Sequence, residues 1–244
     1  MCAMAVFNRT SDKKIEWAKW TWNPYHGCLG PDGNGVCEYC YARDIAEDLY
    51  PEKFEPKFEP HRLNAPENTK VPVAAMTDIG ERNVFVCSMG DLFGDWVPQE
   101  WIDQITEKGR WNPQWNFLYL TKNPRRLIDI DWPSNAWVGT TVEVQSRVET
   151  AEDAFRKIAA SVKFLSCEPL SEHVVFDDLS MFDWLIIGCR SKTKRLPAMQ
   201  PDWEWVESLI EQGRKADLKI YMKPELRIPP DYIRIKEYPD LEAA

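Results

Sequence analysis

Short apolar runs rich in β-branched and aromatic residues alternate with helix-like segments through most of this 244-residue chain, after a strand-like stretch around Trp20. Short buried strands joined through helical crossovers are typical of a parallel sheet. The sequence therefore predicts an α/β fold with about seven mainly parallel strands, forming a partial or complete (β/α) TIM-like barrel. We expect a single domain over residues 1–244, since no linker divides the chain. The later predicted strands are residues 83–87, 116–120, 136–139, 162–165, 184–187 and 219–222.

Helical patterns occupy several of the segments between these runs. Residues 201–216, for example, begin at a proline and place Trp205, Val206 and Leu209 at helical spacing. Residues 50–72 are rich in proline and contain a doubled Lys-Phe-Glu-Pro, which predicts an extended connection. The other predicted helices are residues 40–49, 98–108 and 144–160.

The composition requires a folded core and excludes several classes of protein. Hydrophobic residues make up 44% of the chain, with 12 Trp, which is too much apolar surface for a disordered protein. The net charge of −9 excludes a broad nucleic-acid-binding face, so any such contact would be local. Seven cysteines, an odd number, indicate reduced thiols or metal chemistry rather than a disulfide scaffold.

Membrane and export signals are missing from the sequence. No apolar stretch approaches the ~20 residues that a membrane helix needs. The first seven residues lack the charged region and apolar core of a signal peptide. We therefore expect no membrane partner and a cytoplasmic location.

The sharpest chemical signal is a glycine-rich loop with three cysteines between a predicted strand and a predicted helix. Cys28, Cys37 and Cys40 are spaced Cys-x8-Cys-x2-Cys. Three soft thiolates this close suit an iron–sulfur cluster or zinc. With three ligands only, a [4Fe–4S] cluster keeps one iron open for a substrate or cofactor. Zinc needs a fourth ligand, for which His26 is the nearby candidate, and inert buried cysteines are the remaining alternative.

Polar residues follow nearly every predicted strand. The carboxyl ends of parallel barrel strands meet at one face, where active sites form. We therefore expect these residues to surround one mouth, although loop starts are polar in any protein. They are residues 87–91, 121–123, 140–143, 166–168, 188–192 and 223–225.

The three-cysteine loop, with an aromatic residue before the last cysteine, resembles that of the radical S-adenosylmethionine (SAM) superfamily. From about residue 14 to about residue 223, the chain also resembles a bacterial and phage protein family of unknown function. The pieces that carry this resemblance include Lys14-Ile15-Glu16-Trp17, Thr21-Trp22-Asn23-Pro24, Cys37-Glu38-Tyr39-Cys40-Tyr41-Ala42, Ser88-Met89-Gly90-Asp91-Leu92-Phe93, Leu120-Thr121-Lys122-Asn123-Pro124, Ser166-Cys167-Glu168-Pro169-Leu170 and Pro201-Asp202-Trp203.

The resemblance implies a role for each matching residue. Cys28, Cys37 and Cys40 would hold a [4Fe–4S] cluster. Glu168 would face the mouth and serve either substrate or cofactor. The implied SAM-binding residues are Tyr39 against the adenine, Gly90 and Asp91 at the amino group, Lys122 at the carboxylate, and Thr141 and Glu143 at the ribose.

Two features depart from the patterns of these families. The superfamily's usual spacing is Cys-x3-Cys-x2-Cys, whereas residues 31–36 lengthen the first gap here. Residues 188–192 read Gly-Cys-Arg-Ser-Lys, where relatives typically have Gly-Gly-Glu-Ser-Gly. The missing acid weakens any role carried over to that loop.

Three further cysteines, Cys87, Cys167 and Cys189, fall at predicted strand ends. If they converge, they would form a second metal site or supply a thiol hydrogen donor, for which we select Cys189 as a catalytic candidate. The alternative is that all three are small buried hydrophobic residues.

Basic residues cluster near the predicted mouth. One cluster follows the sixth predicted strand, and another surrounds Lys122. Such residues would contact phosphate in an otherwise acidic protein, or else form an ordinary solvated charge run. The first cluster is Arg190, Lys192, Lys194 and Arg195, and the second is Lys122, Arg125 and Arg126.

Two functions of different classes follow. The resemblance implies an enzyme in which a reduced [4Fe–4S] cluster cleaves SAM and the resulting radical abstracts hydrogen from a substrate, with a flavodoxin or ferredoxin as electron donor. The phage-like family and the basic residues favour a nucleobase or modified nucleotide as that substrate. The alternative is a zinc-stabilised binding module without catalytic activity, closed by His26 and the three cysteines.

Overall fold

Strands and helices alternate within residues 4–10, 15–31, 33 and 35–240, which are the residues that the computed structural model describes. Cys2 and Lys14 lie outside them. The strands are β1 (Asn8–Arg9), β2 (Trp20–Trp22), β3 (Tyr25–His26), β4 (Lys57–Phe58), β5 (Asn83–Val86), β6 (Asn116–Thr121), β7 (Ala136–Thr141), β8 (Val162–Cys167), β9 (Trp184–Ile187) and β10 (Lys219–Met222). The α-helices are α1 (Tyr41–Leu49), α2 (Ala65–Asn68), α3 (Gln99–Arg110), α4 (Val148–Phe155) and α5 (Trp203–Lys215). Short 3₁₀ helices lie at Pro60–Arg62, Val73–Met76, Ile79–Arg82, Pro124–Leu127 and Gln145–Arg147.

One mainly parallel sheet of eight strands organises the described part of the chain, in the order β1-β2-β5-β6-β7-β8-β9-β10. Each neighbouring pair from β2 to β10 is parallel, while β1 is antiparallel to β2. The seven parallel strands are the seven that the sequence predicts. The sheet is open, with β1 and β10 at its edges, so the fold is a partial barrel.

The strands are buried on both faces, which explains why they are continuous apolar runs rather than alternating ones. Alternate residues of each strand enter two different cores. On β7, Val138 packs with residues of the helices, whereas Trp137 joins an inner cluster to which no α-helix contributes a described residue. Trp17 belongs to the inner cluster as well, so the segment before β2 helps to fill the barrel.

Helices α3 and α5 cover the outside of the sheet with the faces that their sequences predict. On α5, Val206 and Leu209 are fully buried. The predicted helix over residues 144–160 is shorter, because the chain starts as the 3₁₀ helix Gln145–Arg147 and turns after Phe155 to enter β8.

The prediction of an extended connection over residues 50–72 is partly wrong. Strand β4 pairs with β3, and Phe58 stacks on Trp101 of α3 at 5.3 Å between ring centroids. Pro60 and Pro66 stand in the first turns of a 3₁₀ helix and of α2, where a proline loses no helical hydrogen bond. Among the described residues, no helix combines the length and the apolar character needed to cross a membrane.

Candidate active site

A cavity of about 670 Å³ opens at the carboxyl ends of the parallel strands. The loops after β2, β5, β6, β8, β9 and β10, together with the end of β7, all contribute to its wall. The cavity brings together predicted site residues that are up to 161 positions apart in sequence, from Cys28 to Cys189. The predicted site residues that line it are Cys28, Cys37, Tyr39, Cys40, Gly90, Asp91, Lys122, Thr141, Glu168 and Cys189.

The cysteine loop is fixed to the sheet by close backbone contact between Gly27 and Gly90. Gly27 has φ +91°, and its N–H donates to the Met89 carbonyl at 2.9 Å. A Cβ atom on Gly90 would lie 2.4 Å from the Gly27 carbonyl oxygen, so no other residue fits there without displacing the loop. The N–H of Cys28 donates to the Phe54 carbonyl at 3.2 Å. These contacts place the first cysteine directly beside the end of β5.

The first and the last cysteine of the loop each accept a hydrogen bond at the sulfur from a backbone N–H group. The Gly30 N–H donates to Cys28 Sγ at 3.2 Å, and Cys40 is the N-cap of α1, with Arg43 N–H donating to its Sγ at 3.4 Å. Burial raises the pKa of the Cys28 thiol to about 12. A desolvated thiolate is costly, and the strong positive charge of a metal centre stabilises it.

The three sulfurs, among the described residues, are not close enough together to share one tetrahedral zinc ion. Ligand sulfurs at about 2.3 Å from one tetrahedral zinc ion lie about 3.8 Å apart. In the described part of the chain, the three cysteine sulfurs do not form a group with all ligand atoms within 4.8 Å of one another. In a [4Fe–4S] cluster each thiolate binds a different iron, so a wider spacing is required. The donor set of three thiolates therefore fits a [4Fe–4S] cluster.

His26, the candidate fourth zinc ligand, faces a different group of residues. Its Nε2 lies 3.4 Å from Glu59 Oε1 and 3.5 Å from Glu52 Oε1, and its ring stacks on Tyr50. Burial lowers the pKa of His26 despite these carboxylates. Lys57 Nζ lies 2.8 Å from the same Glu52 oxygen and 2.9 Å from Glu59 Oε1, so an ammonium already pairs with both carboxylates. The structure thus does not bring His26 together with the cysteine sulfurs.

A buried carboxylate, Glu143, joins the cysteine loop to the loop after β6 and to α4. Its Oε1 accepts from the Tyr39 hydroxyl at 2.6 Å and lies 3.5 Å from Lys122 Nζ. Its Oε2 lies 3.0 Å from Arg147 Nε. Burial acts to raise the pKa of Glu143, but Lys122, Arg147 and the Tyr39 hydrogen bond outweigh it and lower the pKa. Glu143 is therefore a charged anchor, and it does not line the cavity as a ribose ligand would.

Asp91 lies on the cavity wall but already has partners. Its Oδ1 accepts from the Thr121 hydroxyl at 2.7 Å and from Phe93 N–H at 3.1 Å, while its Oδ2 accepts from Lys122 N–H at 3.1 Å. A carboxylate has about four lone-pair sites, so one remains for a ligand ammonium. Asp91 thus connects the loops after β5 and β6 in addition to facing the cavity.

At the opposite side of the cavity, Glu168 forms an ion pair with Lys223, whose Nζ lies 2.9 Å from Glu168 Oε1. The Lys223 side chain is only 6% exposed. Gly188 makes room for this pair, because a Cβ there would lie 2.9 Å from Glu168 Cγ. Cys189 lies on the same wall, and burial raises its pKa, so its thiol keeps a proton at neutral pH.

The other two strand-end cysteines lie in the core. Cys87 and Cys167 are 2% and 0% exposed and belong to the large hydrophobic cluster. Among the described residues, neither joins a group of three metal-ligating side chains within 4.8 Å. Their placement agrees with the alternative that they are small hydrophobic residues, and only Cys189 of the three faces the cavity.

Two of the four basic residues after β9 hold that loop on α1. Lys194 Nζ lies 2.5 Å from Asp48 Oδ1, while Arg195 lies 2.7 Å from Asp44 Oδ1 and 2.5 Å from Glu47 Oε1. Their charges are therefore neutralised, which corrects the expectation of four cations at the mouth. Arg190 and Lys192 do line the cavity.

A family model described as "Protein of unknown function (DUF5131)" matches residues 12–225. The chain belongs to this family. A search of curated proteins finds no match. The family description names no chemistry, so any functional argument for this DUF5131 chain depends on its fold and its site.

Solved structures of spore photoproduct lyase have a similar fold. The lyase complexed with dinucleoside spore photoproduct has a TM-score of 0.55 at 13% identity, over 91% of this chain and 80% of that one. A doubly substituted lyase with bound AdoMet and dinucleoside spore photoproduct also has a TM-score of 0.55, at 12% identity, over 89% of this chain and 79% of that one. The likeness shows that this DUF5131 chain shares its fold with spore photoproduct lyase.

The sequence does not single out two residues that complete the site of this DUF5131 chain. Lys223 follows a predicted strand, and that position is the only signal for its pairing with Glu168. Arg147 is four residues after Glu143, a spacing that permits an ion pair on a helix but is common by chance. An apolar part of the wall is formed by Ile15, Trp17, Phe85 and Leu120.

Proposed function

We propose that this chain is a radical SAM-type enzyme that acts on a nucleobase or modified nucleotide. The observation that carries the proposal is that the three loop cysteines and the residues implied for SAM binding, apart from Glu143, line one cavity. That cavity lies at the carboxyl ends of the strands of a radical SAM-like fold, where barrel active sites form.

Cys28, Cys37 and Cys40 would hold a [4Fe–4S] cluster. When bound with SAM, such a cluster supplies one-electron reductive cleavage of SAM and hence hydrogen abstraction. The chain's own contribution is to bind, to orient and to exclude water. Since the loop offers three thiolates, one iron of such a cluster would be left open to a ligand. We propose a flavodoxin or ferredoxin as electron donor, in a reducing cytoplasm.

The residues after β5, β6 and β7 would bind SAM. Asp91 would accept from its ammonium group, Lys122 would pair with its carboxylate, and the Thr141 hydroxyl would bond the ribose. Gly90 keeps this wall free of side chain, and the Tyr39 ring is held beside Lys122, whose Nζ lies 5.7 Å from the ring centroid. Glu143 acts through Tyr39 and Lys122, both of which it positions.

Glu168 and Cys189 would act on the substrate. The Lys223 ammonium pairs with the Glu168 carboxylate and orients it at the wall, where it would accept a hydrogen bond from a base or sugar. The Cys189 thiol, protonated because burial raises its pKa, presents an S–H group to the same space. A nucleotide-sized substrate is supported by the solved lyase complexed with a dinucleoside, whose fold this chain shares.

The test is anaerobic reconstitution with iron and sulfide, followed by reduction with SAM and a set of oligonucleotides and nucleosides. We expect a brown protein and 5′-deoxyadenosine whose yield rises with one substrate, and neither with Cys28→Ala. A colourless protein that contains one zinc ion and forms no 5′-deoxyadenosine would contradict the proposal and favour the zinc-stabilised binding module.

A further inference from the structure

A second cavity, of about 380 Å³, lies beside the large one. The two share Pro31, Lys122 and Thr141 in their walls. Lys122, Arg125 and Arg147 line the second cavity, and no acidic side chain is among the described residues that do so. The large cavity, by contrast, has the carboxylates Asp44, Asp91, Glu168 and Glu225 in its wall.

The charges at the second cavity do not cancel. Glu143 is the carboxylate that faces these cations, 3.5 Å from Lys122 Nζ and 3.0 Å from Arg147 Nε. Arg125 is exposed and makes no ion pair with a described residue. Three positive charges against one buried carboxylate leave an excess of two at this cavity, in a chain of net charge −9. The excess attracts an anion.

Hydrogen-bond donors at this cavity suit a tetrahedral oxyanion. Ser146 and Thr150 also line it. They lie four residues apart, where the 3₁₀ helix Gln145–Arg147 leads into α4. Thr140 and Thr141 line it from the end of β7, although the Thr140 hydroxyl already donates to the Thr121 carbonyl at 2.9 Å. Hydroxyl groups, arginine side chains and the start of a helix are the groups that proteins use to bind phosphate.

We propose that the second cavity binds a backbone phosphate of a nucleic-acid substrate whose base occupies the large cavity. This deepens the proposed function and rests on it for the placement of the base. SAM carries no phosphate, and its one carboxylate is accounted for by Lys122 at the shared wall. Arg125, Arg147, Ser146 and Thr150 are then available to a second anion, which a free nucleoside lacks and a nucleotide within a strand supplies.

The test measures binding of fluorescein-labelled hexathymidylate to the reconstituted protein by fluorescence anisotropy, from about 50 to about 200 mM salt. With Arg125 and Arg147 as the two cations at the phosphates and about 0.7 counterions released for each, the log–log salt slope should be about −1.4. Arg125→Gln should weaken binding about fivefold to tenfold at low salt and reduce the slope by about 0.7. Lys157→Gln removes the same charge from an exposed position just beyond α4 and should change neither.

No binding by the wild-type protein, or equal effects of Arg125→Gln and Lys157→Gln, would overturn the proposal. So would an equal loss of SAM affinity on Arg125→Gln, measured by calorimetry, because the cavity would then hold the SAM carboxylate. Failure of the proposed function has a separate signature, which is a wild-type protein without cluster or SAM binding. The difference in salt slope between the two variants still decides the phosphate site in that case.

Discussion

The Tyr39 hydroxyl donates a 2.6 Å hydrogen bond to Glu143 Oε1 and thereby joins the cysteine loop to the chain just after β7. The two residues are 104 positions apart. The same carboxylate pairs with Lys122, which lines both cavities, and with Arg147, which lines the second one. One buried charge therefore fixes the cysteine loop, the loop after β6 and the start of α4 relative to one another.

Replacing Cys28 with alanine should abolish the cluster, because only Cys37 and Cys40 would remain in the loop. We expect iron content and blue-region absorbance to fall to background after reconstitution. The matched control is Cys167→Ala, which removes a core thiol outside the cavity and should leave iron content unchanged. Full iron content in Cys28→Ala would rule out the three-cysteine assignment.

Asp91→Ala should weaken SAM binding while the cluster spectrum is retained. Removing the partner of a partly desolvated ammonium costs roughly 2–5 kcal/mol, or about 30-fold or more in affinity. Calorimetry on the reconstituted variant measures this loss. Asp95→Ala is the control, since Asp95 accepts from Asn123 Nδ2 at 2.8 Å but does not line the cavity. Unchanged SAM affinity in Asp91→Ala would show that Asp91 connects the loops after β5 and β6 but does not bind SAM.

Glu143→Gln should lower the free energy of unfolding by about 2–3 kcal/mol at neutral pH, because a buried charge with cationic partners is lost. The pKa of Glu143 is lowered in the folded protein from its ordinary value of 4.5. Its contribution is therefore present above about pH 4.5 and lost as the pH falls through the folded value. Urea denaturation at several pH values should show the difference in unfolding free energy between variant and wild type shrinking below pH 4.5.

The exposed control Glu149→Gln should change the free energy of unfolding by less than about 0.5 kcal/mol. A difference independent of pH would contradict the assignment of a charged Glu143.

Combining Lys194→Gln with Arg195→Gln should release the loop after β9 from α1. Single exposed ion pairs contribute little, but here two cations contact Asp44, Glu47 and Asp48 together. We expect faster amide hydrogen exchange over residues 190–199, and high salt should reproduce part of the effect. Lys192→Gln, in the same loop, is the control because Lys192 makes no ion pair with a described residue. Equal exchange in the double variant and the wild type would show that the loop is held by its backbone contacts instead.

The amino-acid pattern alone determines the parallel sheet, because strands buried on both faces must be continuous apolar runs and each of the seven is visible as one. It determines the mouth as well, since the carboxyl ends of parallel strands meet at one face. This is why ten of the eleven predicted site residues line one cavity, from Cys28 to Cys189.

Only the tertiary structure decides what each polar residue faces, because the two partners of an ion pair are often far apart in the sequence. Local sequence cannot show that His26 turns to Glu52 and Glu59 rather than to the cysteines. Nor can it show that Lys194 and Arg195, in a run of four basic residues, are neutralised by α1. Ion pairs and hydrogen bonds depend on distances of a few ångströms between side chains, and those distances are fixed only when the sheet brings the loops together.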